Sequence, residues 1–217
     1  MEIKLMDVSK RFGSRVLYDR LSFTIPSGKM TGIFGKSGAG KTTLLNVIGL
    51  IEPYEGTILY DGKEVKKHSD IRRFLADHFG FVFQNYGLVD QLTVKENIEL
   101  LKCMNKSRKE EMESVLKEVG LEGFEKRKVY ELSGGEQQRV AIAKILLKNP
   151  DVILADEPTA SLDEGNKAMV MNYLRKFADA EKTVVIVSHD PDVMKQCDCI
   201  IHLDKELKTV VYDVESE

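Results

Sequence analysis

Gly35-Lys36-Ser37-Gly38-Ala39-Gly40-Lys41-Thr42 follows the pattern G-x-x-x-x-G-K-[ST]. Residues of these types in this order can wrap a phosphate. Glycines expose backbone N–H groups to an anion, and a helix beginning directly afterwards turns its positive end towards it. Lys41 offers a mobile cation to the β- and γ-phosphates of a triphosphate. Thr42 offers a hydroxyl to Mg²⁺, and Thr43 continues the cradle. The alternative is a chance cluster of glycines. The pattern stands after a short apolar stretch and before a helical one, the context that a phosphate loop requires.

Three further stretches bear on the same chemistry. Val152-Ile153-Leu154-Ala155-Asp156-Glu157 is an apolar strand ending in two acids. Ligands of parallel α/β sheets sit beyond the carboxyl ends of strands. Asp156 there can hold Mg²⁺ through water, and Glu157 can orient or deprotonate an attacking water. Acids after a strand are common in any protein, so this reading draws its weight from the glycine-rich loop. His189 ends the apolar stretch 183–188. It is either a polar residue at a strand end or an imidazole aimed at a γ-phosphate. Leu132-Ser133-Gly134-Gly135-Glu136-Gln137 precedes a long helical stretch. Ser-Gly-Gly at a helix start is either an ordinary serine cap or a second anion nest. A second nest has a use if it closes over a nucleotide held by another chain.

The elements that must position these residues alternate in character. Segments 3–8 and 21–25 alternate apolar and polar residues, as half-buried antiparallel strands do. Segments 30–34, 56–60, 79–83, 152–155, 183–188 and 199–203 read as short strands, several of them continuous apolar runs. Helices are expected over 42–50, 165–177 and 192–196, and a final hairpin around 204–208 leads to a strand over 209–214. From about 93 to 148 the pattern is helical, with helices over 94–103, 109–119 and 136–148. Thr93 with Glu96 has capping-box spacing, and Gly120 is a stop signal. Continuous apolar strands separated by helices argue for a mostly parallel sheet covered on both faces, with the helical stretch inserted.

The 217 residues suit one domain with an inserted part. Apolar residues make up 42% and charged residues 31%, which excludes a disordered or collagen-like chain. A net charge of -3 gives no general attraction to nucleic acid, and none is expected as partner. No stretch reaches the ~18 apolar residues of a membrane span, and the N-terminus lacks a signal-peptide pattern. The expectation is a cytosolic chain that meets a membrane only through a partner. Cys103, Cys197 and Cys199 include no CxxC pair. Cys197 and Cys199 read as small apolar residues around a strand or, less simply, as metal ligands.

With these motifs in order, the whole chain resembles the nucleotide-binding domain of an ABC ATPase. Residues 132–137 resemble the ABC signature, 35–42 Walker A and 152–157 Walker B. Gln84 stands at the Q-loop glutamine, Ser161-Leu162-Asp163 at the D-loop, His189 at the switch histidine and Phe12 at the adenine-stacking aromatic. The resemblance implies an α/β fold: a P-loop NTPase core with a mostly parallel sheet, an N-terminal antiparallel β subdomain and an inserted α-helical subdomain. The implied arrangement is a single cassette over 1–217, with the core at about 1–84 and 150–217 and the helices at about 85–149. It implies ATP and Mg²⁺ as ligands, with Thr42, Gln84 and Asp156 at the metal. Catalysis falls to Glu157, His189, Gln84 and Lys41. Phe12, Gly35, Lys36, Ser37, Gly38, Ala39, Gly40, Lys41, Thr42 and Thr43 form one side of the nucleotide site, and Ser133, Gly134, Gly135 and Glu136 form the other. The implied partners are a second ATPase subunit, taken as a head-to-tail homodimer, and an integral membrane permease that holds the cassette at the inner face of the membrane.

Two residues depart from the usual pattern: Lys36 stands where many relatives have proline, and Phe12 where tyrosine is commoner. Residues 80–89 and 155–159 resemble the small subunits of the lipoprotein-release, macrolide-export and cell-division group, some of whose neighbours export bacteriocins. This implies export or release, with a cargo that the subunit itself never touches. A non-transport ATPase, in cell-division signalling or iron–sulfur assembly, remains the alternative. Tyr86, Leu88, Val89 and Leu92 either pack the helical part onto the core or form a patch for a partner helix.

Overall fold

The computed structural model describes residues 1–83, 85–101, 108–160, 162–203 and, for the backbone, 210–213. Gln84, Cys103, Ser161 and the expected hairpin at 204–208 lie outside the described residues.

Two sheets divide the strands. The first is antiparallel, in the order β2-β1-β4-β5, built from β1 (Ile3–Phe12), β2 (Arg15–Ile25), β4 (Glu55–Tyr60) and β5 (Lys63–Glu64). The β1–β2 ladder shifts register between Leu5 and Val8, where Asp7 takes a positive φ of 52°. These bulges break the apolar alternation, which is why both strands run longer than the sequence pattern indicates.

The second sheet has the order β10-β9-β3-β8-β7-β6. Its strands β3 (Met30–Phe34), β6 (Phe79–Val82), β7 (Val152–Asp156), β8 (Thr183–Ser188) and β9 (Cys199–His202) pair in parallel, and β10 (Val210–Asp213) is antiparallel at the edge. Every residue of β8 is buried. Val184 and Ile186 join one core cluster, while Val185 and Val187 join the other. β7 divides its side chains in the same way, with Ile153 and Ala155 on one face and Val152 and Leu154 on the other. Burial on both faces requires the continuous apolar runs seen in the sequence.

Helix α1 (Lys41–Ile48) packs between the two sheets through Leu44, Leu45, Val47 and Ile48. Between β6 and β7 stand α3 (Val94–Glu99), α4 (Lys109–Glu118) and α5 (Gly134–Lys148). α6 (Glu164–Asp179) and α7 (Pro191–Met194) cover the remaining face. Thr93 caps α3 in a full capping box with Glu96, as its spacing predicts. α5 ends at Asn149, in the left-handed conformation directly before Pro150, a common helix stop. One helix has no counterpart in the sequence reading: α2 (His68–His78) has no fully buried residue and only a short half-buried stripe of Ile71, Phe74 and Leu75, of which Phe74 and Leu75 pack on the core.

Candidate active site

Parallel registry brings the chemistry to one sheet edge. Phe34 of β3 lies beside Ser188 of β8, and Asp156 of β7 lies beside Val187. The loop 35–40 leaves β3 here and enters α1. No side chain caps the start of α1, and no acid stands in its first turn, so its N–H groups and dipole are left for an anion. Gly40, at φ 93°, closes the loop. A Cβ on Gly40 would meet Leu17 at 2.8 Å. Lys41 Nζ donates to the carbonyls of Gly35 at 2.8 Å and Lys36 at 3.4 Å, which holds the ammonium beside the loop. Lys36 itself is exposed.

Beyond the loop, Thr42 Oγ1 donates to Asp156 Oδ1 at 3.1 Å. Burial pushes the Asp156 carboxyl above its usual range. The Thr42 bond opposes the rise, the neighbouring Glu157 charge adds to it, and Lys41 opposes it. Glu157 takes φ 47°, an uncommon conformation for a residue with a side chain and one found at functional sites. Its Oε2 accepts from Ser188 Oγ at 3.1 Å, and its Oε1 lies 2.8 Å from His189 Nδ1. That contact puts the ring proton on Nδ1 when the carboxylate is ionised. Glu157 is thus aimed by two partners, while the His189 ring stays 72% exposed and free to reach a ligand.

A cavity of about 630 Å³ joins these groups, lined by Phe12, Ser37, Gly38, Gly40, Lys41, Thr42, Thr43, Glu157 and His189. Arg15, Leu17 and Ala160 line it as well and escaped the sequence reading. Arg15 could have been found from the β1–β2 hairpin, whose register sets it directly across from Phe12. Asp156 meets the cavity through Thr42, while Gly35, Lys36 and Ala39 complete the loop without lining it.

Ser133, Gly134, Gly135 and Glu136 do not line this cavity. They begin α5, where Ser133 is a cap in fact: its Oγ accepts from Glu136 N at 3.3 Å. Glu136 Oε2 in return accepts from Ser133 N at 2.7 Å and from Ser133 Oγ at 2.8 Å. These bonds hold the Glu136 carboxyl below its usual range, and the charges of Arg139 and Arg127 act the same way. Gly135 is packed against Asn166, which also bonds Asp163, so the α5 start and the α6 start touch.

Comparisons with known proteins identify the family. A family model described as ABC transporter matches residues 18–160. The chain belongs to the ABC transporter family. This cassette is an ABC-type ATPase domain. It is 36% identical over 208 residues to the macrolide export ATP-binding/permease protein MacB of Campylobacter jejuni, covering 93% of this chain and 32% of the relative. The chain thus spans about a third of the MacB length. It is 42% identical over 181 residues to the ABC transporter ATP-binding protein YtrE of Bacillus subtilis, covering 80% of this chain and 78% of that one. Among solved structures it is similar to the dimeric bacterial ABC transporter cassette MJ0796, in a post-hydrolysis state bound to ADP and Pi. The TM-score is 0.88 at 33% identity, over 99% of this chain and 100% of that one.

The segment beyond Phe83 resolves into two roles. Leu88 packs against the core, as the packing reading has it, whereas Val89 is 46% exposed. Phe83 is stacked on Phe81 with ring centroids 5.5 Å apart. These two rings, Tyr86, Leu101 and Lys144 surround a second cavity of about 180 Å³.

Proposed function

We propose that the cassette binds ATP with Mg²⁺, hydrolyses it, and so drives export or release of a substrate through a separate membrane permease. The observation that carries this reading is the separation of two anion cradles. The phosphate loop, Glu157 and His189 share one cavity, and the Ser133–Gly135 start of α5 stands outside it. A site divided in this way is complete when a second chain brings its α5 start over the first chain's nucleotide, which is the head-to-tail dimer. The dimeric state of the similar cassette MJ0796, bound to ADP and Pi, supports the same arrangement.

In this site the loop backbone and Lys41 bind the β- and γ-phosphates, and Phe12 stacks on the base. Glu157 orients and deprotonates the attacking water, and His189 contacts the γ-phosphate. Gln84 joins Thr42 and Asp156 at the metal in this reading. The residues suit Mg²⁺, which takes one or two carboxylates together with phosphate oxygens and water. Asp156, buried beside a second acid, carries a penalty that a cation relieves. Among the described residues there is no group of three or more His, Cys, Asp or Glu able to cage a metal alone. When bound, Mg²⁺ supplies charge neutralisation between the phosphates.

No helix among the described residues is long and apolar enough to cross a membrane. We place the cassette at the inner face of the membrane, held by the permease. The docking surface is the second cavity together with the exposed Val89, two residues beyond its lining residue Gly87. The residues 1–84 and 150–217 act as the catalytic core and 85–149 as the helical part that transmits closure. The permease-fused relative MacB supports the membrane partner.

Mixing two inactive variants tests the divided site. Lys41→Ala removes nucleotide binding in its own chain, and Ser133→Arg blocks the site on the partner. Mixed dimers carry both lesions in one site and leave the other intact, so ATPase activity should partly return. No recovery in verified mixed dimers, or full turnover by a strictly monomeric wild-type protein, would refute the arrangement.

A further inference from the structure

Phe12 lies at the tip of the β1–β2 hairpin, in the antiparallel sheet, while the phosphate loop belongs to the parallel sheet. A nucleotide spanning both needs their separation fixed. Lys10 and Phe12 are two residues apart on β1, so their side chains leave the strand on the same side. Lys10 Nζ stands over the Phe12 ring, 4.7 Å from its centroid. The Lys10 side chain is only 5% exposed, and its ammonium donates to Glu52 Oε2 at 2.8 Å and to the Pro53 carbonyl at 2.7 Å. Glu52 follows the phosphate-loop helix and is bound back to it, since the N–H groups of Ile51 and Glu52 both donate to the Asn46 carbonyl of α1. A continuous chain of contacts thus runs from Phe12 through Lys10 and Glu52 to α1. Phe12 remains 51% exposed and lines the active-site cavity, so the ring face away from the ammonium is the one left to a base.

We propose that Lys10 is a positioning residue for nucleotide binding: its buried ammonium holds the Phe12 ring as a base platform at a fixed distance from the phosphate loop. The inference rests on the stacking role given to Phe12 above. A buried cation–π contact holds the ring in place before the nucleotide arrives. It also draws π density to the inner face, which lessens the repulsion that an incoming purine meets on the outer one.

The test compares ADP with inorganic triphosphate, a probe without a base, by titration calorimetry. Lys10→Met should weaken ADP roughly three- to tenfold, the scale of one cation–π contact, and leave inorganic triphosphate unchanged. The loss should appear in the KM for ATP and not in kcat, and Lys10→Arg should restore it. Phe12→Ala should weaken ADP at least as much, and adding Lys10→Met to it should cost nothing further. Glu52→Gln, which removes the carboxylate that holds the ammonium and leaves β1 untouched, should act in the same direction and carries the test if Lys10→Met does not fold. Normal ADP affinity in Lys10→Met and Glu52→Gln beside a weakened Phe12→Ala would overturn the inference alone. Equal loss of triphosphate and ADP would overturn it too, by showing that Lys10 merely supports the loop. Normal ADP affinity in Phe12→Ala would remove the stacking reading and this inference together.

Discussion

Two helix starts in this protein are built from glycine and hydroxyl residues, and they differ in what already satisfies them. At α1 no side chain caps the backbone and no acid stands in the first turn, while Lys41 waits beside an open cavity. At α5 the serine and its N–H are occupied by Glu136 of the same chain. The first is ready for an anion in the isolated chain. The second is a helix cap in the isolated chain, and in the dimer proposed above a partner's nucleotide would compete for Ser133. Similar local sequence therefore yields a permanent site in one place and a conditional one in the other. What decides between them is the residue three places into the helix.

The largest effect should come from the acid that shares the cavity of the first cradle. Glu157→Gln keeps the shape and the Ser188 bond but removes the base, so hydrolysis should fall by at least ~10². Nucleotide should still bind, and the second cradle should stay closed over it, so an ATP-bound dimer should accumulate in light scattering. Turnover near the wild-type rate would show that Glu157 is not the base.

Alanine at one glycine of each start separates permanent from conditional binding. Gly40→Ala forces a side chain into φ 93° and against Leu17, a strain of about 1–2 kcal/mol from backbone conformation alone. It should lower ADP affinity by roughly tenfold or more, because 1.4 kcal/mol is a factor of ten and the loop itself is displaced. Gly134 has no positive φ, and a Cβ there meets only the Tyr86 hydroxyl at 3.0 Å. Gly134→Ala should bind ADP as the wild type does and lose activity only in hydrolysis, which requires the partner. Equal loss of ADP affinity in both variants would erase the distinction.

The two starts were also unequally legible in the sequence. The α1 cradle depends on contiguous residues, so Gly35–Thr42 reveals it without any fold. The α5 start is just as visible as a motif, but sequence alone leaves cap and nest as equal readings, because Glu136 serves either. Side chains that reach the site across the sheet were partly lost. Arg15 and Leu17 enter the cavity through hairpin register, and shifts along the β1–β2 ladder hide that register from a search for alternation. Helix α2 was lost for a different reason. Its signal was present but short: Ile71, Phe74 and Leu75 have helical spacing, and Phe74 and Leu75 pack on the core, among charged residues that fill most of the segment. The parallel strands were read nearly to their ends, since a strand buried on both faces is apolar at every position.

The smallest effect concerns the lock on the conditional cradle and its pH dependence. Glu136 has its carboxyl held below the usual range by bonds from Ser133, whereas in the unfolded chain it titrates near ~4.3. At neutral pH both states are ionised, and the lock contributes its full stabilisation. As pH falls through about 4.3 the unfolded state takes up its proton first. The native advantage then shrinks and is gone once pH passes below the depressed folded value. Glu136→Gln keeps an oxygen to accept from Ser133 but has no charge to titrate. The melting temperature of the wild type should therefore exceed that of Glu136→Gln at pH 7, by a margin that closes as pH falls below about 4. The variant should also release Ser133 more readily and so need less ATP to dimerise, with no change in the affinity of its own phosphate loop. A melting-temperature gap that stays constant from pH 7 to pH 3 would mean that the lock does not depend on the carboxylate. The contrast between the two helix starts would then rest on the cavity alone.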